Sequence, residues 1–286
     1  MNKRFFKKYI FEILFILPLA VYLLVFTLVP IIQATLLAFT SYINGSFPSF
    51  SNFQSIFSQF QFKEAVFNTL FITFVGLALE MTLGFGIALL LLEKFRGRRF
   101  FRALMLLPLG IPTIVVASNM RYLFDTNGFL NEILFRLHLI EIPFNWLGGG
   151  FHTLFTIIIA DMWKVTPLVM LILLSGLESI PKEVNEAAEI DGASYWQRIR
   201  HIVLPLLTPF ITMALIIRGI DAFRIFELPM ALTGNTVPVI GTYAYTEYNN
   251  YGNPYTSAAA AAILMLMIVI SITIYLKAVK QREINP

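Results

Sequence analysis

The residues of this chain able to do polar chemistry fall into two sets. The first is an acidic island, Glu186-Ala187-Ala188-Glu189-Ile190-Asp191-Gly192, followed by Ile202-Val203-Leu204-Pro205, which reads as E-A-A-x3-G-x9-I-x-L-P. The second consists of ionisable side chains set in apolar sequence: Glu80, then Asp161 and Lys164, then Arg218, Asp221, Arg224 and Glu227. A charge inside a membrane span is expensive, so each of these is either a neutralising partner that locks the bundle or a polar lining of a path through it. Neighbours at i+3 can pair on a helix surface. Each such step turns about 300°, so the run from Arg218 to Glu227 drifts around its helix rather than forming one stripe.

Other chemistries find no support. The chain has no cysteine, hence no disulfide framework and no thiolate metal site. His138, His152 and His201 are scattered and have no ligand spacing, so no metal site is expected. There is no G-x-x-x-x-G-K-[S/T] phosphate loop, no G-x-S-x-G and no H-E-x-x-H, so no catalytic residue is assigned and ATP is not expected to bind here in the usual way. The net charge of +4 lies in loop anchors rather than in a basic stripe, which argues against a nucleic-acid partner.

The elements that position these residues follow from composition. The 286 residues are 57% hydrophobic and only 13% charged, against about 25% charged in an average soluble domain. This predicts an all-α, multi-span membrane protein, one transmembrane domain over 1–286. Six segments have the roughly 20 apolar residues that a span needs: about 11–39, 66–92, 101–123, 152–177, 204–227 and 257–277. The first is too long for a signal-peptide core and reads as a retained span. Lys and Arg set the orientation. Fifteen lie in loops on one side, including Lys94, Arg96, Arg98, Arg99 and Arg102, and only Lys63, Arg121 and Arg136 lie on the other. The positive-inside rule then puts both termini and the 178–203 island in the cytoplasm. The outward segments 41–61, 125–150 and 233–257 read as loops. The last carries Tyr243, Tyr245, Tyr248, Tyr251 and Tyr255, which suit either an interfacial aromatic belt or contact with sugar rings.

The island itself reads as two short helices. Pro181 suits a first helical turn, Lys182–Ile190 continues it, and Asp191-Gly192 breaks it. Ser194 and Gln197 have capping-box spacing, and Trp196, Ile199, Ile202 and Val203 make one apolar face. Pro205 marks the return to the membrane. Such an elbow is either a partner-binding surface or an amphipathic hairpin on the bilayer. Ala187 and Ala188 allow close approach, and Glu186 and Asp191 add charge.

The run Gly176-Leu177-Glu178-Ser179-Ile180-Pro181, Glu186-Ala187-Ala188, Asp191-Gly192-Ala193-Ser194 and Leu204-Pro205-Leu206-Leu207 resembles the EAA loop of ABC-importer permeases. The whole chain is similar to their carbohydrate-uptake branch, on the side of the maltose and glycerol-3-phosphate permeases. Asn52-Phe53, Asn68-Thr69, Trp163, Pro167, Asp221 to Glu227 and Leu232-Thr233-Gly234 fall in the corresponding order. It departs from the common pattern at Asn235 to Pro238 and at Glu227. The resemblance implies a type I importer permease fold in a prokaryotic cytoplasmic membrane, with cytoplasmic coupling helices. It implies a sugar-import role beside a second permease subunit, two ATPase subunits that bind the ATP and Mg, and an extracytoplasmic sugar-binding protein. Glu186, Ala187, Ala188, Asp191 and Gly192 would then be the ATPase-coupling residues. The spans flanking the loop would form a mid-membrane sugar path with Asp161, Trp163, Lys164, Asp221 and Arg224 as its candidates. The nature of the sugar, neutral or acidic, stays open, because the cations there are offset by acids. The rivals are an ion-coupled secondary transporter, which has no reason for an EAA elbow, an intramembrane enzyme and a membrane scaffold.

Overall fold

The computed structural model describes residues 3–284; of the fifteen basic residues counted above for orientation, the side chains of Lys3, Arg4, Lys7, Lys8 and Arg282 lie outside the described ones. The protein is 79% helical, with no strand among the described residues. Its helices are α1 (Lys3–Leu23), α2 (Val29–Ala38), α3 (Ser51–Ser58), α4 (Phe60–Leu92), α5 (Arg98–Leu106), α6 (Thr113–Phe124), α7 (Phe129–Arg136), α8 (Gly150–Glu178), α9 (Lys182–Ile190), α10 (Tyr195–Arg198), α11 (Leu204–Phe223), α12 (Glu227–Thr233), α13 (Ile240–Asn249) and α14 (Pro254–Ile284). Among the described residues, five stretches are long and apolar enough to cross a membrane: Tyr9–Ala38, Phe60–Leu92, Gly150–Ser179, Tyr195–Phe223 and Pro254–Gln281. A sixth exists only if the bent pair Arg98–Gly110 and Thr113–Arg136 counts as one span.

That bend is the main departure from the expected spans. The segment 101–123 is not one helix: its two halves meet at 98°. Pro108 and Pro112 are the cause. Each lacks a backbone N–H, and Ile111, preceding Pro112, is pushed into an extended conformation (φ −88°, ψ 130°). Two other prolines leave the helix continuous but widened. A π-type turn, Leu24–Leu28, precedes Pro30, and another, Ile199–Val203, precedes Pro205 and joins α10 to α11. The fifth span ends four residues earlier than expected. α11 ends at Phe223, and the chain restarts as α12. The segments expected as outward loops are not plain loops either, since they carry α3, α7 and α13.

Contacts divide the chain into two compact units: 1–60 with 244–265, and 61–243 with 266–286. In the first, Asn52 caps the end of α2, donating to the carbonyls of Ala38 at 3.0 Å and Thr40 at 2.7 Å. Those carbonyls have no partner inside the helix, which is the physical need the asparagine meets. Glu247 is buried and accepts a bond from Thr256 Oγ1 at 2.5 Å.

The second unit holds both sets of candidate residues. It has two apolar cores. One gathers Ile72, Val116, Leu154, Ile157, Leu228 and Leu232 from α4, α6, α8 and α12. The other gathers Ala88, Val169, Leu173, Leu177, Val203 and Leu207 around α4, α8 and the start of α11. Small residues let these helices approach closely. A Cβ at Gly84 would stand 2.8 Å from Val169 Cγ1, and one at Gly176 would stand 2.5 Å from Leu207 Cδ1. Asn68 and Thr69 tie α4 to the segment before α13: Asn68 donates to the Pro238 carbonyl at 2.8 Å, and Thr69 Oγ1 accepts from the Ile240 N–H at 2.9 Å.

Candidate functional site

Between the two apolar cores lies a buried charge cluster. Glu80 stands midway along α4 between Ile72 and Ala88, Asp161 on α8 between Ile158 and Val169, and Arg218 on α11 between Leu207 and Ile225. The Arg218 guanidinium makes a two-pronged bond to Glu80, Nε to Oε2 and Nη2 to Oε1, both 2.9 Å. Nη2 also donates to Asp161 Oδ2 at 2.9 Å. Asp221, one turn on, stands 3.9 Å from Nη1 and keeps 59% of its side chain exposed, against 1% for Glu80. A planar guanidinium suits this forked geometry, and charge-assisted bonds of this kind are the strong ones. The cluster therefore clips three spans together, with Asp161 half-buried and Asp221 as its open edge.

The structure separates the other path candidates. Lys164 is paired with Thr113 Oγ1, the first residue of α6, and forms no ion pair among the described residues. It lies on the Asp161 side of α8, since three residues turn the helix by about 300°. Trp163 is two residues from Asp161, about 200° around the helix. It faces away, into an apolar cavity of about 510 Å³ with Leu83, Ile87, Met105 and Pro108. Arg224 is the exposed residue that ends α11, so the i+3 run breaks after Asp221 and Glu227 belongs to α12. Asp161 and Asp221 are thus brought together around Arg218; Trp163 and Arg224 are not part of that cluster. Sequence reasoning flagged Glu80 and Arg218 separately but did not pair them, and missed Thr113. The available signal was that a buried arginine and a buried glutamate each require a partner.

The elbow is built as its local sequence dictates. α9 spans Lys182–Ile190, with Pro181 at its N-cap rather than in the first turn. It ends in a Schellman turn: the Gly192 N–H bonds the Glu189 carbonyl and the Ala193 N–H bonds the Ala188 carbonyl, both at 3.0 Å. Gly192 sits at φ +75°, where any side chain is strained. Ser194 then opens α10 with a reciprocal capping box, its N–H donating to Gln197 Oε1 at 2.8 Å. Ile199 and Val203 are buried, whereas Trp196 leaves the expected apolar face and is 75% exposed. Glu186, Ala187, Asp191 and Gly192 form an exposed surface; Ala188 turns inward and is buried. Ion pairs hold the elbow's shape. Arg198 pairs with Glu189 across the turn, and at the end of α8 Glu178 meets Arg98 at 2.7 Å and Arg102 at 3.6 Å.

The comparisons with known proteins agree with one another. The family described as "Binding-protein-dependent transport system inner membrane component" matches residues 80–284. The trehalose/maltose transport system permease protein MalF of Thermococcus litoralis is 38% identical over 250 residues, 84% of this chain and 84% of that protein. The arabinooligosaccharides transport system permease protein AraP of Bacillus subtilis is 32% identical over 239 residues, covering 82% and 75%. A chain in the crystal structure of a bacterial alginate ABC transporter, in complex with its alginate pentasaccharide-bound periplasmic protein, shares the fold. Its TM-score is 0.83 at 24% identity, over 99% of this chain and 98% of that one.

Proposed function

The chain belongs to the family of binding-protein-dependent transport system inner membrane components, and from that membership we propose that it is the permease subunit of an ATP-driven sugar importer. It forms half of the translocation path as a single permease domain, with both termini and the elbow in the cytoplasm. ATP and Mg bind to separate ATPase subunits; this chain carries no cofactor. A second, different permease subunit completes the path, and an extracytoplasmic binding protein delivers the sugar. The names of the relatives, which transport trehalose, maltose and arabino-oligosaccharides, support a saccharide as cargo.

The observation that carries this reading is where the elbow is spliced. It follows the last turn of α8 and runs without a break through a π-type turn into α11. Those are the helices that contribute Asp161 and Arg218 to the mid-bundle cluster. A displacement of the exposed Glu186–Gly192 surface by a moving partner is therefore transmitted to the two spans that meet at the cluster. In the same reading Asp161, Lys164 and Asp221 line the sugar path, with Asp221 the group free to meet a hydroxyl, and Trp163 and Arg224 stand outside the cluster.

The test is uptake of labelled sugar by the reconstituted complex. Glu186→Lys and Gly192→Asp are expected to leave the permease in the membrane at near-normal amounts and to abolish uptake. Normal uptake by both variants would remove the coupling role. Uptake that persists without ATP and stops when the ion gradient is collapsed would favour a secondary transporter instead.

A further inference from the structure

A cavity of about 500 Å³ at the far end of α6 differs from its neighbours. Two other cavities of similar size are lined almost wholly by apolar side chains, whereas this one is walled by Ser118, Arg121, Tyr122, Asp125 and Asn127. Ser118, Arg121, Tyr122 and Asp125 stand at i, i+3, i+4 and i+7, so they form one continuous face that runs to the end of the helix. Arg121 lies about 12 Å along α6 from Thr113, the partner of Lys164. The volume is in the range that holds small ligands.

The groups in this cavity are held apart rather than spent on one another. Arg121 and Asp125 are oppositely charged at i, i+4, a spacing that commonly pairs, yet no ion pair joins them, and Arg121 has none with any described residue. One oxygen of Asp125 accepts the Asn127 N–H at 3.0 Å, and the other faces no protein donor among the described residues. Tyr122 presents an exposed ring. The floor beneath them is rigid. Asn131 is buried and donates to the carbonyls of Thr126 at 2.9 Å and Phe144 at 2.8 Å while accepting from Trp146 Nε1 at 3.0 Å. The Gly128 N–H binds the Asp125 carbonyl at 2.8 Å, and a Cβ at Gly128 would lie 2.5 Å from the Tyr122 carbonyl oxygen, so only glycine fits.

We propose that this cavity is a saccharide-binding subsite that takes one unit of a neutral sugar on its way to the mid-bundle path. The inference rests on the sugar-import reading above. A guanidinium that donates and a carboxylate that accepts, unpaired and facing one space, match the hydroxyls of a sugar, each of which both donates and accepts. Their charges cancel, which selects a neutral unit over an acidic one. The Tyr122 ring supplies a flat apolar face for the sugar ring.

The experiment uses the whole transporter in proteoliposomes with its binding protein, supplied in turn with labelled maltose, trehalose, arabino-oligosaccharides and alginate oligosaccharides. The variant Arg121→Gln/Asp125→Asn is expected to import the neutral sugar about tenfold more slowly, the size expected for losing charged hydrogen bonds. ATP hydrolysis stimulated by the loaded binding protein stays within about twofold of the parent. Tyr122→Ala falls several-fold, while Tyr122→Phe, which keeps the ring, retains most uptake; immunoblots of the membrane confirm equal amounts. Uptake by the double variant within twofold of the parent overturns the subsite. So does a parallel loss of uptake and stimulated ATP hydrolysis, which would make the cavity a docking surface for the binding protein. Import of alginate fragments alone by the parent overturns the choice of a neutral unit. Import of no sugar by the parent protein sinks the sugar-importer reading itself.

Discussion

The elbow and the mid-bundle cluster use the same side chains for opposite ends. Each has acids close to an arginine. In the elbow, Arg198 and Glu189 pair with 21% and 62% of their side chains exposed; in the cluster, Arg218 and Glu80 pair with 4% and 1% exposed. The first pair is joined across nine residues and one glycine turn, the second across 138 residues and two spans. Water shares the solvation of the elbow's charges, so their pairing adjusts shape. No water helps the buried pair, so removing one partner strands the other in an apolar interior. The difference separates an exposed elbow, whose pairs trim its shape, from a buried joint that holds spans together.

The sharpest test of this contrast is Arg218→Ala. It leaves Glu80 buried without a counter-charge and is expected to cost about 3–5 kcal/mol, read as a loss of thermal stability of the purified complex. The paired change Glu80→Met with Arg218→Met recovers part of that loss, because Glu80 is no longer stranded and only the more exposed Asp161 loses its donor. Tolerance of Arg218→Ala equal to that of Arg198→Ala would erase the distinction between the regions.

Next in size is Gly192→Ala. Its left-handed backbone costs an L-residue about 1–2 kcal/mol. Faster amide exchange is expected in α9 and α10, with α8 and α11 unchanged, together with reduced uptake. Exchange that rises throughout the bundle would mean the elbow is not a locally determined unit. The smallest effect belongs to the Arg198–Glu189 pair: a double-mutant cycle is expected to give about 0–1 kcal/mol, and less at high salt.

Much of the elbow was legible in the sequence because its determinants are local. The extent of α9, the break at Asp191-Gly192 and the Ser194–Gln197 capping box each depend on residues a few positions apart. The spans were legible as apolar runs, but not their interruptions. Pro108 and Pro112 read as tolerated span prolines, yet two in five residues exceed what neighbouring helices re-satisfy, and the chain turns through 98°. α11 stops at Phe223 for a non-local reason: Leu228 and Leu232 of α12 bury against the core shared with α6 and α8, a gain no hydropathy window contains. The motif residues Asn52, Asn68 and Thr69 were picked out by their order in the chain, and the structure gives them their work, capping α2 and pinning the approach to α13. Trp163 stands among the path candidates with Asp161 because both lie in a span flanking the elbow, although a two-residue step puts them on opposite sides of that helix.

By itself the sequence determined the membrane class, the spans, the elbow and its family, because hydropathy, turn chemistry and motif spacing are encoded over short distances. Only the tertiary structure decided which charges meet. Glu80, Asp161 and Arg218 lie on three helices, and nothing in their spacing along the chain orders their approach. Close packing at Gly84 and Gly176 brings those helices together, and the high cost of an isolated charge in that interior completes the pairing.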